Sequence, residues 1–296
     1  MNAGSAIFDL AGTAGAGTLF VVGTGKNVGK TVTARAIYQA AVARGRRIGI
    51  ASVGRDGEAI DVADGAPKPR LFLHPGTFFA TARDVLPSSP AVEYVEDSSL
   101  QTATGTLVYA RVVSGAHYEL VGPPSASGVR EAVAVLQSHC ETVVVDGAID
   151  RVAALAGMPG GIVVAAGASA GSTPDEAVDA IRALVQRLTV PASDPARAAL
   201  EIDGALTPAR AAELVEARES RQVVVGDPTQ IALTGRAAVH AFARLQIRCL
   251  RPLHVVAATV ASIGRERSFE PRAFARAVAS ATGLPTFDVY AGERAA

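Results

Sequence analysis

A loop that could bind phosphate lies near the start of the chain, between residues 23 and 31. It reads Gly23-Thr24-Gly25-Lys26-Asn27-Val28-Gly29-Lys30-Thr31, after a β-branched run and before a stretch of helical period. Glycines let backbone N–H groups approach phosphate oxygens, and a helix start adds unpaired donors and a partial positive charge. Lys30 would reach the β- and γ-phosphates of a nucleoside triphosphate, and the Thr31 hydroxyl would bind Mg²⁺. The predicted nucleotide-binding residues are Gly25, Lys26, Asn27, Val28, Gly29, Lys30, Thr31 and Val32.

The spacing of the glycines departs from the commonest pattern, which puts four residues between its first glycine and Gly-Lys-Thr. Thr24 occupies that first position, and Gly23 lies one residue earlier. This form resembles the Gly-Thr-x-x-x-x-Gly-Lys-Thr loop of dethiobiotin synthetase and the cobyrinic acid amidase relatives, in the class that includes the Min and nitrogenase-iron-protein ATPases. Those ATPases carry a lysine five residues before the P-loop lysine. This chain has Gly25 there, so we do not expect catalysis by such a lysine across a dimer.

A carboxylate that could complete the site follows a second β-branched run. Residues 142–145 read as a buried strand, and Asp146 comes directly after them. A Walker B aspartate lies in this place and holds Mg²⁺ directly or through water. Buried strands also end in Asp for reasons of turn geometry alone, so the prediction depends on the pairing of Asp146 with the phosphate loop.

A polar turn after the strand predicted for residues 47–52 offers further candidates. Ligands of open α/β sheets bind at the carboxyl ends of the strands, where this turn would lie. Asp56 or Glu58 could bind Mg²⁺ or orient an attacking water, and Arg55 could face phosphate; an ordinary turn with solvated charges is the alternative. The predicted catalytic residues are therefore Lys30, Asp56 and Asp146, and the predicted metal ligands are Thr31, Asp56 and Asp146.

The fold class follows from the alternation of short β-branched runs with longer alanine-rich stretches of helical period. This pattern predicts an α/β fold of the P-loop NTPase type, with a largely parallel sheet flanked by helices. Residues 107–113 and 117–121 flank Ser114-Gly115, which predicts a β-hairpin insertion. Two prolines in residues 191–195 predict a linker. The expected parts are a flexible N-terminal arm (1–17), a nucleotide-binding domain (18–190) and a smaller C-terminal α/β lobe (191–296).

Composition excludes several other classes of function. The chain has 28 basic residues (Lys and Arg) and 28 acidic residues (Asp and Glu), so electrostatic binding to nucleic acid or to an anionic membrane is not predicted. Cys140 and Cys249 lie far apart, which argues against a disulfide framework, a zinc site or an iron–sulfur cluster. Residues 1–17 lack both a basic start and an unbroken apolar stretch. We therefore expect a cytoplasmic protein.

The sequence also bears on the nucleotide base. Gly226-Asp227-Pro228-Thr229 follows another predicted strand, and this segment could cap a helix or border the base. It is not the Asn-Lys-x-Asp arrangement whose carboxylate selects guanine, and that arrangement occurs nowhere in the chain. Its absence favours ATP over GTP.

Several short sequence segments together resemble one family, the P-loop subunit of the proposed reactivase for adenosylcobalamin-dependent lysine and ornithine aminomutases. The resemblance covers about residues 18–290. The resemblance is based on these segments: residues 25–31, Ser52-Val53-Gly54-Arg55-Asp56-Gly57-Glu58, Pro69-Arg70, Gly76-Thr77, Val145-Asp146-Gly147-Ala148, Gly204-Ala205-Leu206-Thr207 and Asp227-Pro228-Thr229.

This resemblance implies an ATPase that uses ATP and Mg²⁺ to release damaged cobalamin from an aminomutase. Its partners would be the aminomutase and a second reactivase subunit. Whether the protein also forms a homodimer is left open by the resemblance. Because no Asp-x-His-x-x-Gly segment is present, any cobalamin would belong to the partner. Two alternatives remain: a dethiobiotin synthetase-like ligase that phosphorylates a carboxylate, with Lys26 or Arg55 beside the γ-phosphate, and a non-catalytic nucleotide-dependent binding or metallochaperone module.

Overall fold

The computed structural model describes residues 2–56, 71–87, 90–148, 160–264 and 266–290. The described residues form an α/β fold. The α-helices are α1 (Ala3–Thr13), α2 (Lys30–Ala43), α3 (Ala126–His139), α4 (Pro174–Leu188), α5 (Pro208–Glu216), α6 (Gly235–Arg244) and α7 (Pro271–Thr282). The first eight strands are β1 (Thr18–Gly23), β2 (Ile48–Ser52), β3 (Arg55–Asp56), β4 (Leu71–Leu73), β5 (Phe78–Ala82), β6 (Val92–Thr102), β7 (Gly105–Val112) and β8 (Ala116–Tyr118). The others are β9 (Leu120–Val121), β10 (Thr142–Ala148), β11 (Gly161–Gly167), β12 (Ala199–Glu201), β13 (Gln222–Val225), β14 (Gln246–Cys249), β15 (His254–Ala261) and β16 (Thr286–Asp288).

The main sheet has nine strands in the part of the chain that the structure describes, in the order β16-β15-β11-β1-β10-β2-β5-β7-β6. All neighbours from β16 to β5 are parallel, and β7 and β6 continue the sheet as antiparallel strands. Strand β1, which leads into the phosphate loop, is central, and β10, which carries Asp146, lies directly beside it. The predicted α/β fold, with a largely parallel sheet flanked by helices, is confirmed.

Helices cover both faces of the middle of this sheet, which explains why strands such as β1 and β11 are buried along their whole length. In β1, Phe20 and Val22 belong to the core under α3, α4 and α7, whereas Leu19 and Val21 belong to the core under α1 and α2. Successive side chains of a strand point to opposite faces, so a strand buried on both sides shows no alternation of apolar and polar residues.

A smaller lobe is built from β12, β13 and β14 with α5 and α6. Its three strands are parallel, and its own apolar core includes Val190, Leu214 and Cys249. The predicted lobe of residues 191–296 extends too far, because β15 and β16 are strands of the main sheet. Val256 and Ala258 of β15 lie in the cores of opposite faces of that sheet, and only a sheet with two covered faces can bury both.

The predicted flexible arm, residues 1–17, is largely helical in the structure. Helix α1 begins after Asn2, whose side chain accepts a hydrogen bond from the Ser5 N–H at 2.8 Å. Ile7 is fully buried. A Cβ on Gly4 would lie 2.0 Å from the Ala36 carbonyl oxygen, so α1 packs on α2 at a distance that only glycine allows. Packing of small residues stabilises this helix, and the composition of the segment gave no sign of it.

The structure confirms a β-hairpin insertion, but at a different place. The hairpin is formed by β6 and β7, whose last paired residues are Thr102 and Gly105. The predicted second arm, residues 117–121, instead pairs in two short pieces: β8 with β4 and β9 with β3. Ser114 and Gly115 therefore mark the exit of the chain from β7 and do not connect two paired strands.

Candidate phosphate-binding site

The loop from Gly23 to Lys30 turns sharply between β1 and α2, and it needs residues with unusual backbone angles. Asn27 and Gly29 have φ values of 56° and 89°, in the left-handed region. A Cβ on Gly23 would lie 2.7 Å from Val28 Cγ2, so the shifted first glycine is required by the packing of Val28. The unusual glycine spacing thus corresponds to a loop closed over a buried valine.

The start of α2 could bind an anion. Gly29 is its N-cap, and no side chain of the described residues caps the helix by a hydrogen bond. The Thr33 N–H donates to the Gly29 carbonyl at 2.8 Å and begins the helical ladder. Backbone N–H groups of a first helical turn have no partners within the helix, and together with the helix dipole they attract a phosphate group.

The ammonium group of Lys30 lies over this loop. Lys30 Nζ donates to the Gly25 carbonyl oxygen at 2.6 Å, and only 7% of the residue is exposed. The Gly25 carbonyl thus fixes the end of the Lys30 side chain against the loop. The arrangement can neutralise the phosphates of a nucleotide bound there.

Asp146 lies beside the loop because β10 is the neighbour of β1. Its carboxylate accepts hydrogen bonds from the Thr31 hydroxyl and, at 2.8 Å, from the Gly147 N–H. Burial raises the pKa of Asp146, and the two hydrogen bonds and the Lys30 charge oppose this effect. Thr31 and Asp146 thus offer paired hard oxygens, the ligands that Mg²⁺ prefers, and a cation there would balance the buried charge.

The other predicted residues of the loop differ in what they could contribute. Lys26 and Asn27 are exposed, so their side chains could reach a ligand. Val28 is buried and contacts Gly167, where a Cβ would lie 2.7 Å from Val28 Cα. Val32 packs into an apolar cluster below the first turn of α2. The two valines could therefore contact phosphate only through their backbone N–H groups.

Asp56 belongs to the two-residue strand β3, where it pairs with Leu120. The side chains of Arg55 and Asp56, and the whole of Glu58, lie outside the part of the chain that the structure describes. The segments next to β3 and β9 pack tightly together, because a Cβ on Gly122 would lie 1.6 Å from the Ser52 carbonyl oxygen. The roles of Asp56 as catalytic residue and metal ligand stay predictions.

The structure adds contacts that the sequence motifs did not reveal. A Cβ on Gly29 would lie 2.8 Å from the Ala261 Cβ and 3.7 Å from Val289 Cγ2. The last residue of β15 and the residue after β16 therefore pack closely against the loop. The Thr33 and Thr259 hydroxyls share a buried hydrogen bond of 2.8 Å. The sequence offered only a general reason to expect these contacts, because the carboxyl ends of parallel strands meet at one edge of a sheet.

Asp227 is a cap, as one of the two interpretations of its segment predicted. It precedes the short 3₁₀ helix Pro228–Gln230 and accepts a hydrogen bond from the Thr229 N–H at 3.0 Å. Its second carboxylate oxygen lies 3.3 Å from Arg251 Nη2. These contacts lie in the smaller lobe, and the carboxylate has protein partners on both oxygens.

Within the described residues, no group of three or more His, Cys, Asp or Glu side chains is placed to hold a metal ion. No helix among them is both long enough and apolar enough to cross a membrane.

Comparisons with known proteins add little. No protein-family model matches the chain, and no curated protein matches it. Among solved structures, the chain is similar to the signal recognition particle receptor FtsY from Elizabethkingia anophelis, with 13% identity over 93% of this chain and 70% of that chain and a TM-score of 0.27. It is likewise similar to the cell division protein FtsY from Thermotoga maritima, with 12% identity over 94% and 75% and a TM-score of 0.27. Similarity this weak supports no conclusion on function.

Proposed function

We propose that this protein binds Mg-ATP on the loop from Gly23 to Thr31 and hydrolyses it. One observation carries the proposal: the Lys30 ammonium, the Thr31 hydroxyl and the Asp146 carboxylate meet where β1 and β10 end. Lys30 would bind the phosphates, and Thr31 with Asp146 would hold Mg²⁺. When bound, the metal ion would supply positive charge to the phosphate oxygens. The absence of an Asn-Lys-x-Asp sequence favours ATP over GTP.

We further propose that hydrolysis drives the reactivation of an adenosylcobalamin-dependent aminomutase. This step rests on the resemblance of the motifs to the reactivase P-loop subunit. The damaged cobalamin would leave the aminomutase during the ATPase cycle, and fresh cofactor would then enter. In this scheme the protein acts as a chaperone in the cytoplasm, with the mutase and a second reactivase subunit as its partners.

The first experiment tests the nucleotide site itself. ATP affinity is measured by calorimetry for the unmodified protein and for Lys30→Ala. Loss of a charged phosphate contact is expected to weaken binding by roughly a hundredfold or more. Thermal unfolding without nucleotide shows whether the variant is folded. An unchanged ATP affinity in a folded Lys30→Ala variant would show that the loop is not the site.

The second experiment tests what the hydrolysis drives. Phosphate release is measured for the protein alone and with an aminomutase whose cobalamin has been inactivated beforehand. Stimulated release together with recovered mutase activity supports the reactivase proposal. Slow turnover that appears only with a small carboxylate supports the dethiobiotin synthetase-like ligase. Nucleotide binding without phosphate release under any of these conditions supports the non-catalytic module.

A further inference from the structure

Thr24 is a residue of the phosphate loop to which the motif assigns no role. It lies six residues before Lys30, where the commonest P-loop has its first glycine. Its N–H donates to the Ala165 carbonyl oxygen of β11 at 3.1 Å. The backbone of Thr24 is therefore fixed to the main sheet at the point where the loop begins.

The hydroxyl group of Thr24 is buried, and among the described residues it has no hydrogen-bond partner. A buried hydroxyl without a partner destabilises a fold, whereas valine has nearly the same shape and no polar atom to satisfy. Native proteins contain few such groups, and each one calls for an explanation, of which a ligand is one. The position of this hydroxyl in a phosphate-binding loop points to an anionic ligand.

The surroundings of Thr24 strengthen this interpretation. A Cβ on Gly23 would lie 2.9 Å from both Cγ and Cδ of Lys30, so the lysine side chain passes directly over residue 23. The same side chain ends on the Gly25 carbonyl oxygen at 2.6 Å. Thr24 thus lies between two residues that the Lys30 side chain contacts. A phosphate group held by the Lys30 ammonium would therefore lie beside the segment that carries Thr24.

We propose that the Thr24 hydroxyl is a phosphate ligand that donates a hydrogen bond to a terminal oxygen of a bound nucleoside triphosphate. The inference rests on the proposed function of the loop and extends it to a residue that was not among the predicted nucleotide-binding residues. Thr24 takes part in no covalent step. Its role is to bind the phosphates.

The test uses Thr24→Val, which removes the hydroxyl and keeps the shape, and Thr24→Ser, which keeps the hydroxyl. Calorimetry measures the affinity of each variant for Mg-ATP and for inorganic tripolyphosphate, a probe without a base. Thr24→Val should bind both about 10- to 100-fold more weakly, the range for a hydrogen bond to a charged group. Thr24→Ser should bind both like the unmodified protein.

Thermal unfolding without ligand separates binding from structure. Because the hydroxyl has no partner in the fold, Thr24→Val should unfold at the same temperature as the unmodified protein or at a higher one. A lower unfolding temperature with unchanged affinity would mean that the hydroxyl is structural, and would overturn the inference. If the valine variant does not fold, Thr24→Ala removes the same hydroxyl with less bulk and must show the same loss of affinity.

The outcomes also distinguish this inference from the proposed function. If the unmodified protein binds neither Mg-ATP nor tripolyphosphate, both the proposed function and the inference fail. If it binds them, and Lys30→Ala weakens the binding while Thr24→Val does not, only the role of Thr24 is overturned.

Discussion

Asp146 of the main sheet and Asp227 of the smaller lobe occupy similar places but have different surroundings. Each lies at the carboxyl end of a buried parallel strand, and they are 3% and 2% exposed, so burial does not distinguish them. Asp146 faces the Thr31 hydroxyl, near Lys30. Asp227 is bound by the Thr229 N–H and hydroxyl and by the Arg251 guanidinium. What differs is the neighbouring segment: the loop from Gly23 to Thr31 lies beside Asp146, whereas Asp227 belongs to a closed cap.

This difference shows that an acid after a buried strand is not by itself a functional signal. The charge of Asp227 has a guanidinium partner within its own lobe. Asp146 has a hydroxyl, an amide and a more distant ammonium group, and burial still raises its pKa. A buried carboxylate with an incomplete set of charge partners is suited to a cation or a phosphate-bound metal ion.

The largest expected difference concerns stabilisation by nucleotide. In the proposed site, Asp146→Asn removes a charged metal ligand, so Mg-ATP should lose most of its effect on the unfolding free energy. For a ligand at 100 times its Kd, that effect is about 2.7 kcal/mol. Thermal unfolding with and without Mg-ATP measures it. Asp227→Asn is the matched control and should keep the full stabilisation; equal behaviour of the two variants would remove the distinction between the two aspartates.

The second prediction concerns stability without nucleotide, where the order of the two variants is reversed. Asp227→Asn should lower the unfolding free energy by about 1–2 kcal/mol, because Arg251 loses a charged partner. Burial raises the pKa of Asp146, so its ionised form disfavours folding, and this cost grows as pH rises through the usual aspartate range. Asp146→Asn should therefore raise the unfolding free energy at pH 7. Urea denaturation of both variants checks the two signs, and a loss of stability in Asp146→Asn would contradict the second one.

The third and smallest effect is local opening of the smaller lobe. Burial raises the pKa of Cys140 to about 12 and that of Cys249 to about 11, so neither thiol should react with Ellman's reagent at pH 8 in the folded protein. Asp227→Asn weakens the cap in the lobe of Cys249. We expect labelling of Cys249 to become about tenfold faster, as for a loss of ~1.4 kcal/mol in local stability.

Cys140 lies in the core of the main sheet and is the internal control of this experiment. Its labelling rate should not change in Asp227→Asn, and mass spectrometry of the labelled peptides assigns each rate to its cysteine. Faster labelling of both thiols would mean that the substitution destabilises the whole chain and that the smaller lobe does not open separately.

Much of the fold was predictable wherever a local pattern and a long element coincided. The strand before the loop of residues 23–31 and the helix after it are present where the sequence predicted them, and helices α4, α5 and α7 each begin at a proline that follows a capping side chain. Proline near the first helical position, with a capping side chain before it, determines a helix start locally. The loop after β1 and the placement of Lys30 at its end were accessible to sequence reasoning for the same reason.

Elements that depend on distant contacts were missed. Helix α1 owes its place to close packing of Gly4 on α2, and the two-residue strand β3 depends on its pairing with β9. Strand β14, at Gln246–Cys249, was not predicted either, because a four-residue run carries little periodicity. Assignment of β15 to the main sheet required knowledge of both of its covered faces.

By itself, the sequence determined the type of loop and the chemistry of its side chains, because glycine, lysine and threonine act through local backbone geometry and fixed functional groups. The tertiary structure decided which acid lies beside that loop. Asp146 and Asp227 both follow β-branched runs of similar appearance, but of their two strands, β10 and β13, only β10 belongs to the main sheet and pairs with β1. Proximity to Lys30 is a property of the sheet, and no local pattern encodes it.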